Sequence, residues 1–373
     1  MHLFILLFAV LNLSSAQAWD RHDRLTQLAL QSYEGWDEAV YEPLQDVLPS
    51  LSVRGGPAPT SATELASHLK INGSKVNWEW RPEPHEGEAP NVIALLMYGV
   101  NEADEGMDQN LDVSPSQKFM GGTTGMSSQG FRHMFYRAWN VLEPFVTFHV
   151  PLHEIGEAPE RAQTYFDLAL QAKKAGHTFW AYRFLGLGLH YVQDVSQPFH
   201  SNQLGSLRIL PLWILLTRGF EAGVGEATRL SANFHLSFEQ YTSYLLNDET
   251  EGRLNIAFKV PKGDEQLKIA FEQNLELSID AGVRRLAESS SRLAPHVVAS
   301  QEKLMGKLLR APSMDIIPGW LDAQGKPKID LAKIDADPQL TNERKAMFES
   351  MFSALSNTGL ATRWYIDRFK SAK

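Results

Sequence analysis

Residues 190–200 read HYVQDVSQPFH, and they contain the most informative spacing in the chain. His190 and Asp194 are four positions apart, so in a helix both side chains leave the same face, one turn from each other. Pro198 would end such a helix, because proline has no amide hydrogen to donate and clashes with the preceding turn. His200 follows where the chain can bend back toward that face. Two imidazoles and a carboxylate are thus predicted near one helix end, and zinc takes these ligand types in catalytic sites.

A second pair with the same helical spacing lies downstream, where residues 235–239 read HLSFE. An isolated His-x-x-x-Asp pair often arises by chance, and a buried histidine is more often a hydrogen-bonded core residue than a ligand. The Pro-x-His continuation of the first motif and the presence of His235 and Glu239 favour a metal site over that interpretation.

Together the two motifs resemble the signature of the zinc-dependent phospholipases C, the bacterial phosphatidylcholine-hydrolysing enzymes and clostridial alpha-toxins. That signature is H-Y-x-x-D-x-x-x-P-x-H followed by H-x-x-x-E. The fungal single-strand zinc nucleases share the fold and much of the first motif, but they usually end in H-x-x-x-D. Glu239 therefore favours the phospholipase branch. The resemblance implies an all-α fold, with residues 19–373 forming a single multi-helix catalytic domain.

Composition limits the kinds of site that the chain can build. It has 373 residues, no cysteine and a formal net charge of -9. Without cysteine there are no disulfides and no thiolate ligands, so a zinc site must use His, Asp, Glu and backbone groups. The negative charge is not typical of a nucleic-acid-binding protein, which usually presents a basic surface. We therefore expect no nucleic-acid partner.

The first 18 residues predict export. Residues 3–13 are mostly apolar but too short to span a bilayer, and residues 16–18 read AQA, an A-x-A cleavage pattern. We interpret residues 1–18 as a signal peptide and expect a secreted or periplasmic protein that begins at Trp19. In the family that the chain resembles, the mature protein begins with Trp, whose α-amine and carbonyl oxygen bind zinc. A histidine ligand follows in that family, and His22 is the candidate here, although it lies closer to the Trp than is usual.

Two further ligands are implied by the resemblance. The family carries an acidic residue that is a zinc ligand and a proposed general base. Asp104 fits best within residues 101–108, which read NEADEGMD, but Glu102, Glu105 and Asp108 are alternatives. His133 begins the segment HMFY, which resembles the family's His-Phe-Tyr/Trp segment with its ligand histidine. His149 and His153 compete with it but lack the aromatic pair.

The resemblance implies three zinc ions per chain. The first would be held by His133, His190, Asp104 and Asp194, the second by Trp19, His22 and the bridging Asp194, and the third by His200, His235 and Glu239.

The expected activity is hydrolysis of phospholipids to diacylglycerol and a phosphorylated head group, with Asp104 as the catalytic residue. The alternatives are a zinc-dependent single-strand nuclease of the same fold and a non-catalytic secreted helical protein. We expect a monomer that contacts a membrane surface transiently. The apolar residues 209–216, ILPLWILL, are either another packed helix or an apolar lip that touches lipid.

Hydrophobic periodicity predicts helices along most of the chain. The strongest patterns cover residues 159–175 and 177–197. The second is apolar almost all round, as in a buried central helix, and its Gly186 and Gly188 would permit close approach of a neighbouring helix.

The carboxyl-terminal part also has helical patterns, at residues 264–286, 288–309 and 342–370. No pattern of strands and turns suggests an appended β-sandwich domain there, so none is expected after the helices. His149 and His153, which lack an aromatic pair behind them, are interpreted as loop residues.

Overall fold

The helix that contains the HYVQD sequence runs from Thr178 to Ser196, and several of the other described helices pack against it. The computed structural model describes residues 19, 21–80, 91–108, 130–143, 146–202, 212–247, 252–259, 263–273, 277–311 and 328–372. The predicted signal peptide, residues 1–18, lies outside these described residues.

Helices form most of the described chain, as predicted for an all-α fold. In chain order the helices are α1 (His22–Leu30), α2 (Leu44–Val47), α3 (Ala62–Leu69), α4 (Val92–Glu102), α5 (Ala158–Lys174), α6 (Thr178–Ser196), α7 (Pro198–Ser201), α8 (Leu212–Arg218), α9 (Phe220–Leu246), α10 (Ile256–Lys259), α11 (Glu265–Gln273), α12 (Ile279–Leu309), α13 (Leu331–Ala336) and α14 (Thr341–Ser371). Two strands, β1 (Tyr136–Glu143) and β2 (Val146–Ile155), lie between α4 and α5.

Helix α6 is the centre of the core, and every residue from Phe179 to Ser196 is buried. The all-round apolar pattern requires neighbours on every side. Helices α4, α5, α12 and α14 supply them, and α1 packs on α4 and α14. The central helix is confirmed, and it carries two of the predicted ligands into the core.

The glycines of α6 allow two close helix contacts, as predicted. A Cβ atom on Gly186 would lie 3.0 Å from the carbonyl oxygen of Leu96 and 3.1 Å from the Cα of Gly99, both on α4. On Gly188 it would lie 2.1 Å from the hydroxyl of Tyr365 on α14. Contact at this distance fixes the position of α4, and therefore of the residues that follow it, relative to α6.

The carboxyl-terminal helices differ in one respect from the prediction. Residues 279–309 form one helix, α12, rather than two that are separated near residue 287. Its start is set by Ser278, whose hydroxyl accepts a hydrogen bond from the backbone N–H of Ala281. Pro295 lies inside this helix without ending it. Helices α5 and α14 match their predicted ranges to within one residue at each end.

The hairpin of β1 and β2 was not predicted. The strands are antiparallel, with Trp139 paired to Val150 and an irregularity in register between Tyr136 and Ala138. Trp139 and Val141 are buried, and β1 packs on α12. The interpretation of His149 and His153 as loop residues is wrong, because both lie on β2. Their alternation with apolar Phe148, Val150 and Leu152 is a strand pattern that Pro151 obscures.

Helix α8 exposes apolar side chains instead of burying them. Trp213 is 75% exposed and Leu216 is 82% exposed. The packed-helix interpretation of residues 209–216 is therefore wrong for these two side chains, while residues 209–211 lie outside the described residues. Among the helices described, none combines the length and the apolar character that a membrane span requires.

We predict that Gly186→Ala destabilises the protein. The added methyl group would meet the backbone of α4 at 3.0–3.1 Å, and overpacking of this kind costs about 1–3 kcal/mol. The gain in helix propensity, about 1 kcal/mol, offsets only part of that cost. The control is Gly306→Ala in α12, where the methyl group would meet only the flexible Glu302 side chain. Urea denaturation should show a lower free energy of unfolding for the first variant alone. Equal stability of both variants would contradict close packing of α4 on α6.

Candidate metal centre

Five of the predicted ligands converge on the carboxyl-terminal half of α6. His22 is the first residue of α1, Asp104 lies in the turn after α4, and His133 lies just before β1. His190 and Asp194 project from α6. The residues fall into two overlapping groups whose ligand atoms lie within 4.8 Å of one another, His22–Asp104–His190 and His133–His190–Asp194.

Asp194 lies between the two groups. Its Oδ1 is 3.3 Å from His22 Nε2, while its Oδ2 is 3.1 Å from both His133 Nδ1 and His190 Nε2. Each carboxylate oxygen therefore faces a different set of imidazoles. This geometry would allow Asp194 to bridge two metal ions, and the bridging role that the resemblance implies stays a prediction.

Asp104 faces the same two sets from the other side. Its Oδ2 is 3.8 Å from His22 Nε2, and its Oδ1 is 3.5 Å from His133 Nδ1 and 3.6 Å from His190 Nε2. The ligand sets expected from the sequence placed Asp104 on one ion only. Its geometry allows it to bridge as well, so two carboxylates can span the pair of positions.

The turn after α4 selects Asp104 from the four acidic candidates. Residues 103–107 form a wide π-helical turn, which is closed by Gly106 at φ +96°. Glu102, before the turn, forms a buried ion pair with Arg183 at 2.8 Å. Glu105 points outward and is exposed, and Asp108 is buried against arginines. Only Asp104 reaches the imidazoles of both groups.

A third group of His200, His235 and Glu239 lies beside the first two. His235 Nε2 is 2.7 Å from Glu239 Oε1, and His200 Nε2 is 3.8 Å from the same oxygen. All three residues are buried. The Gln197 side chain donates to Glu239 Oε1 at 2.8 Å and so fixes the carboxylate. The short helix α7, which begins at Pro198, turns His200 back toward α9 as the sequence predicted.

Four of the imidazoles are oriented through the nitrogen that faces away from the cluster. His22 Nδ1 lies 2.8 Å from Gln193 Oε1, and His190 Nδ1 lies 2.7 Å from the carbonyl oxygen of Val100. His200 Nδ1 lies 2.7 Å from the carbonyl oxygen of His133, whose own Nε2 is 3.2 Å from Asp108. Each acceptor takes the N–H hydrogen, so the other nitrogen presents a lone pair. Metal-bound histidines are held in this way.

Several inward-facing atoms lack a hydrogen bond in the described part of the chain. They are His22 Nε2, both oxygens of Asp194, His200 Nε2 and Glu239 Oε2, and all of them are buried. Buried polar atoms normally have partners, because an unsatisfied one costs about 1–3 kcal/mol. Apart from Glu239 Oε2, they lie 3.1–3.8 Å from other nitrogen or oxygen atoms of the same groups. The donor set therefore fits metal ions, and its nitrogen and oxygen atoms are compatible with zinc.

Burial and charge together set the protonation of the imidazoles. Burial lowers the pKa of His133, but the Asp194 and Asp108 carboxylates outweigh it and raise the pKa to about 10. Since a proton and a metal cation compete for the same lone pair, the negative charge that attracts the proton also favours the cation. Burial lowers the pKa of His200 and of His235 to about 3, so both are neutral near pH 7 and ready to bind metal.

Asp108 supports His133, a role that was not predicted from the sequence, where Asp108 was named only as an alternative to Asp104. It is fully buried, contacts His133 Nε2 at 3.2 Å and Arg132 Nη1 at 3.2 Å, and also pairs with Arg161. The Tyr191 hydroxyl donates to its Oδ2 at 2.6 Å. Burial opposes the charged form, but Arg161 and His133 hold the pKa of Asp108 well below its usual range. The HY pair at residues 190–191 was the available signal, because its Tyr holds this carboxylate.

Trp19, where the mature protein is predicted to begin, is anchored to α6 by its side chain. Its side chain is buried against α6 and packs on Phe238, and its indole N–H donates to the carbonyl oxygen of Gln193 at 3.1 Å. Gln193 also holds His22, so the two residues are anchored to the same turn of α6. The role of the Trp19 amine and carbonyl oxygen as ligands stays a prediction.

Comparisons with protein-family models, with curated proteins and with solved structures found no match. The resemblance to zinc-dependent phospholipases C therefore stays a prediction, and the three groups of buried ligands are assigned on geometry alone.

We predict that Asp108→Asn both destabilises the protein and weakens metal binding at the first two groups. Removal of one charge from a buried pair costs about 3–5 kcal/mol, because Arg161 and Arg132 lose their counter-charge. Loss of the carboxylate behind a ligand histidine lowers metal affinity about 10–100-fold. Denaturation and zinc titration measure the two effects.

The control for this variant is Asp280→Asn, which removes the carboxylate from a partly exposed pair with Arg284. Such a pair contributes at most about 1 kcal/mol, and no ligand is nearby. If both variants bind zinc as the unmodified protein does, Asp108 does not support the centre.

Proposed function

We propose that the protein is a secreted or periplasmic zinc-dependent phosphodiesterase that hydrolyses phospholipids to diacylglycerol and a phosphorylated head group. The observation that carries the proposal is the convergence of three ligand groups on one end of α6, with inward-facing atoms that have no partner of their own. Clusters of closely spaced metal ions are typical of enzymes that displace groups at phosphorus.

Zinc is the metal that the donors favour. The groups combine five imidazoles with three carboxylates, His22, His133, His190, His200 and His235 with Asp104, Asp194 and Glu239. Magnesium and calcium prefer sites made of oxygen atoms, whereas imidazole suits zinc and its neighbours in the periodic table. Three ions per chain, with the Trp19 amine and carbonyl oxygen completing one site, is the arrangement proposed here.

Bound zinc ions would supply positive charge for the phosphoryl oxygens and lower the pKa of water. Asp104 is placed to use this chemistry. Its side chain is 15% exposed, whereas Asp194 and Glu239 are completely buried. Water and substrate can therefore reach Asp104 from the open side of the centre. A carboxylate there can orient a water molecule and accept its proton, while Asp194 acts as a fixed ligand.

The proposed reaction is a balanced displacement by water. The water oxygen forms a bond to phosphorus as the bond from phosphorus to the glycerol oxygen breaks. One proton of the attacking water passes to Asp104, and the departing glycerol oxygen takes a proton from a second water molecule, whose hydroxide is neutralised by the proton that Asp104 later releases. The products are diacylglycerol and the phosphorylated head group. Asp104 and Asp194 each face both sets of imidazoles. They would therefore fix the distance between the two ligand positions, which supports in-line attack.

Helix α8 favours a lipid substrate over a nucleic acid. Trp213 and Leu216 are three positions apart, so they lie on the same side of a short helix, and both project into solvent. Tryptophan is enriched where proteins meet membrane interfaces. Arg218, at the end of the helix, is also exposed and carries the charge that pairs with lipid phosphates. Helix α8 leads into α9, the helix that carries His235 and Glu239.

We predict that Asp104→Asn lowers kcat on phosphatidylcholine vesicles by about 10²–10⁴-fold, because the amide cannot accept the proton. The exposed control, Asp280→Asn, should keep full activity. Turnover is measured as the phosphorylated head group that is released into the water phase. The same preparations are then assayed on single-stranded DNA. Faster turnover of DNA than of lipid would support the nuclease alternative. Bound zinc without turnover of either substrate would support the non-catalytic alternative.

We also predict that Trp213→Ser combined with Leu216→Ser slows hydrolysis of vesicles but not of a short-chain lipid below its micellar concentration. Burial of each side chain in the membrane is worth about 1.5–3 kcal/mol, so binding to vesicles should fall more than tenfold. Ile269→Ser on α11 is the matched control, since Ile269 is 42% exposed but lies on another helix. An equal loss on both substrates would contradict membrane contact through α8.

A further inference from the structure

A pocket lies beside the metal centre but uses none of its ligands. It has a volume of about 470 Å³, within the range of small-molecule sites. The hairpin, α7 and α12 enclose it. The residues that line it are Arg137, Ala138, His149, Pro151, Leu152, Ser201, Ala287, Glu288 and Ser291.

The floor of the pocket is made of small buried residues. Ala138, Ser201, Ala287 and Ser291 are each at most 8% exposed. Ser201 Oγ donates to the carbonyl oxygen of Val195 at 2.7 Å. Ser291 Oγ accepts from the Asn140 side-chain amide at 2.8 Å and keeps one lone pair, while Ser201 Oγ keeps two, so each oxygen can accept a hydrogen bond from a ligand. The floor therefore consists of small, buried side chains, and its serine oxygens can accept a hydrogen bond from a ligand.

The rim carries opposite charges on opposite walls. Arg137 and His149 lie on the hairpin and Glu288 lies on α12, and all three are exposed. Within the part of the chain that the structure describes, Arg137 and Glu288 have no ion-pair partner, with each other or with another residue. His149 Nδ1 lies 2.6 Å from Asn140 Oδ1, so the neutral imidazole donates to this amide oxygen and its Nε2 can accept a hydrogen bond.

We infer that this pocket binds a small zwitterion, with the anionic group at Arg137 and the ammonium group at Glu288. A simple anion would meet the negative charge of Glu288, and a simple cation would meet the positive charge of Arg137. A molecule that carries both charges satisfies both walls, and its ammonium group can also donate to the serine hydroxyls. Arginine suits phosphate and carboxylate groups in particular, because its guanidinium can form two parallel hydrogen bonds.

The pocket and the metal centre meet at α7. Ser201 of the floor directly follows the proposed ligand His200, and Asn202 donates to the carbonyl oxygens of Asn140 and Ser291. The two sites are therefore neighbours on opposite sides of one short helix. Binding of the zwitterion does not require a metal ion or the proposed phosphodiesterase activity.

Equilibrium dialysis with phosphoethanolamine tests this site, with inorganic phosphate and ethanolamine as the single-charge probes. We expect the intact protein to prefer the zwitterion to either single-charge probe. Arg137→Gln and Glu288→Gln should each weaken phosphoethanolamine binding by about tenfold, the value of one charge-assisted hydrogen bond. Glu288→Gln should in addition raise the affinity for inorganic phosphate, because the repulsion is gone. If Glu288 had only a structural role, its replacement would not shift the preference of the pocket from phosphoethanolamine toward inorganic phosphate.

Arg285→Gln is the matched control, because Arg285 is an exposed arginine of α12 that does not line the pocket. It should bind phosphoethanolamine as the unmodified protein does. Phosphate can also bind at the metal centre, but that binding would not respond to Arg137 or Glu288. The inference is overturned if the intact protein shows no preference for the zwitterion, or if the two pocket variants bind it as tightly as the control.

Discussion

The buried carboxylate of Asp194 is the group on which the rest of the structure depends. It is completely inaccessible to solvent, and three imidazole nitrogens lie within 3.3 Å of its oxygens. A buried charge is costly unless it is paired. Burial raises the pKa of Asp194, but His190 and His133 outweigh this and hold it well below its usual value. The surrounding elements are arranged so that cations, whether protons on imidazole or metal ions, stay beside this carboxylate.

Close packing of α6 against its neighbours fixes the positions of the groups that pair with the Asp194 carboxylate. The contact between Gly99 and Gly186 holds α4 against α6, and the wide turn after α4 then directs Asp104 toward the same imidazoles as Asp194. Hydrogen-bond acceptors at the outward-facing ring nitrogens of the histidines fix the orientations of the rings. Ligand positions set by helices are more precise than positions set by loops. The centre is therefore built by backbone packing first and by hydrogen bonds second.

The sequence predicted those parts of the centre that depend on helical spacing. His190 with Asp194 and His235 with Glu239 could be placed because residues four apart share a helix face. Asp104 was chosen by resemblance among four acidic residues, since nothing in local periodicity reveals a π-helical turn. The supporting role of Asp108 was not predicted because its partners, Arg132 and Arg161, are brought to it only by tertiary packing.

Hydrophobic periodicity could not predict the hairpin or the exposure of the apolar side chains of α8. Pro151 breaks the alternation of β2, and an apolar run such as residues 209–216 has the same pattern whether it is packed or exposed. The hairpin follows His133 and forms a wall of the pocket, and α8 precedes α9, the helix of His235. Tertiary contacts therefore decide which surfaces a substrate can meet.

The central claim is that the three ligand groups hold zinc and that the free amino terminus of Trp19 completes one of the sites. The most direct test is elemental analysis of two purified proteins, one beginning at Trp19 and one with a single residue added before it. We expect close to three zinc ions per chain in the first protein and a loss of about one in the second, because the added residue removes the α-amine from the site. Absence of zinc from both proteins, under conditions in which zinc is supplied in excess, would contradict the account.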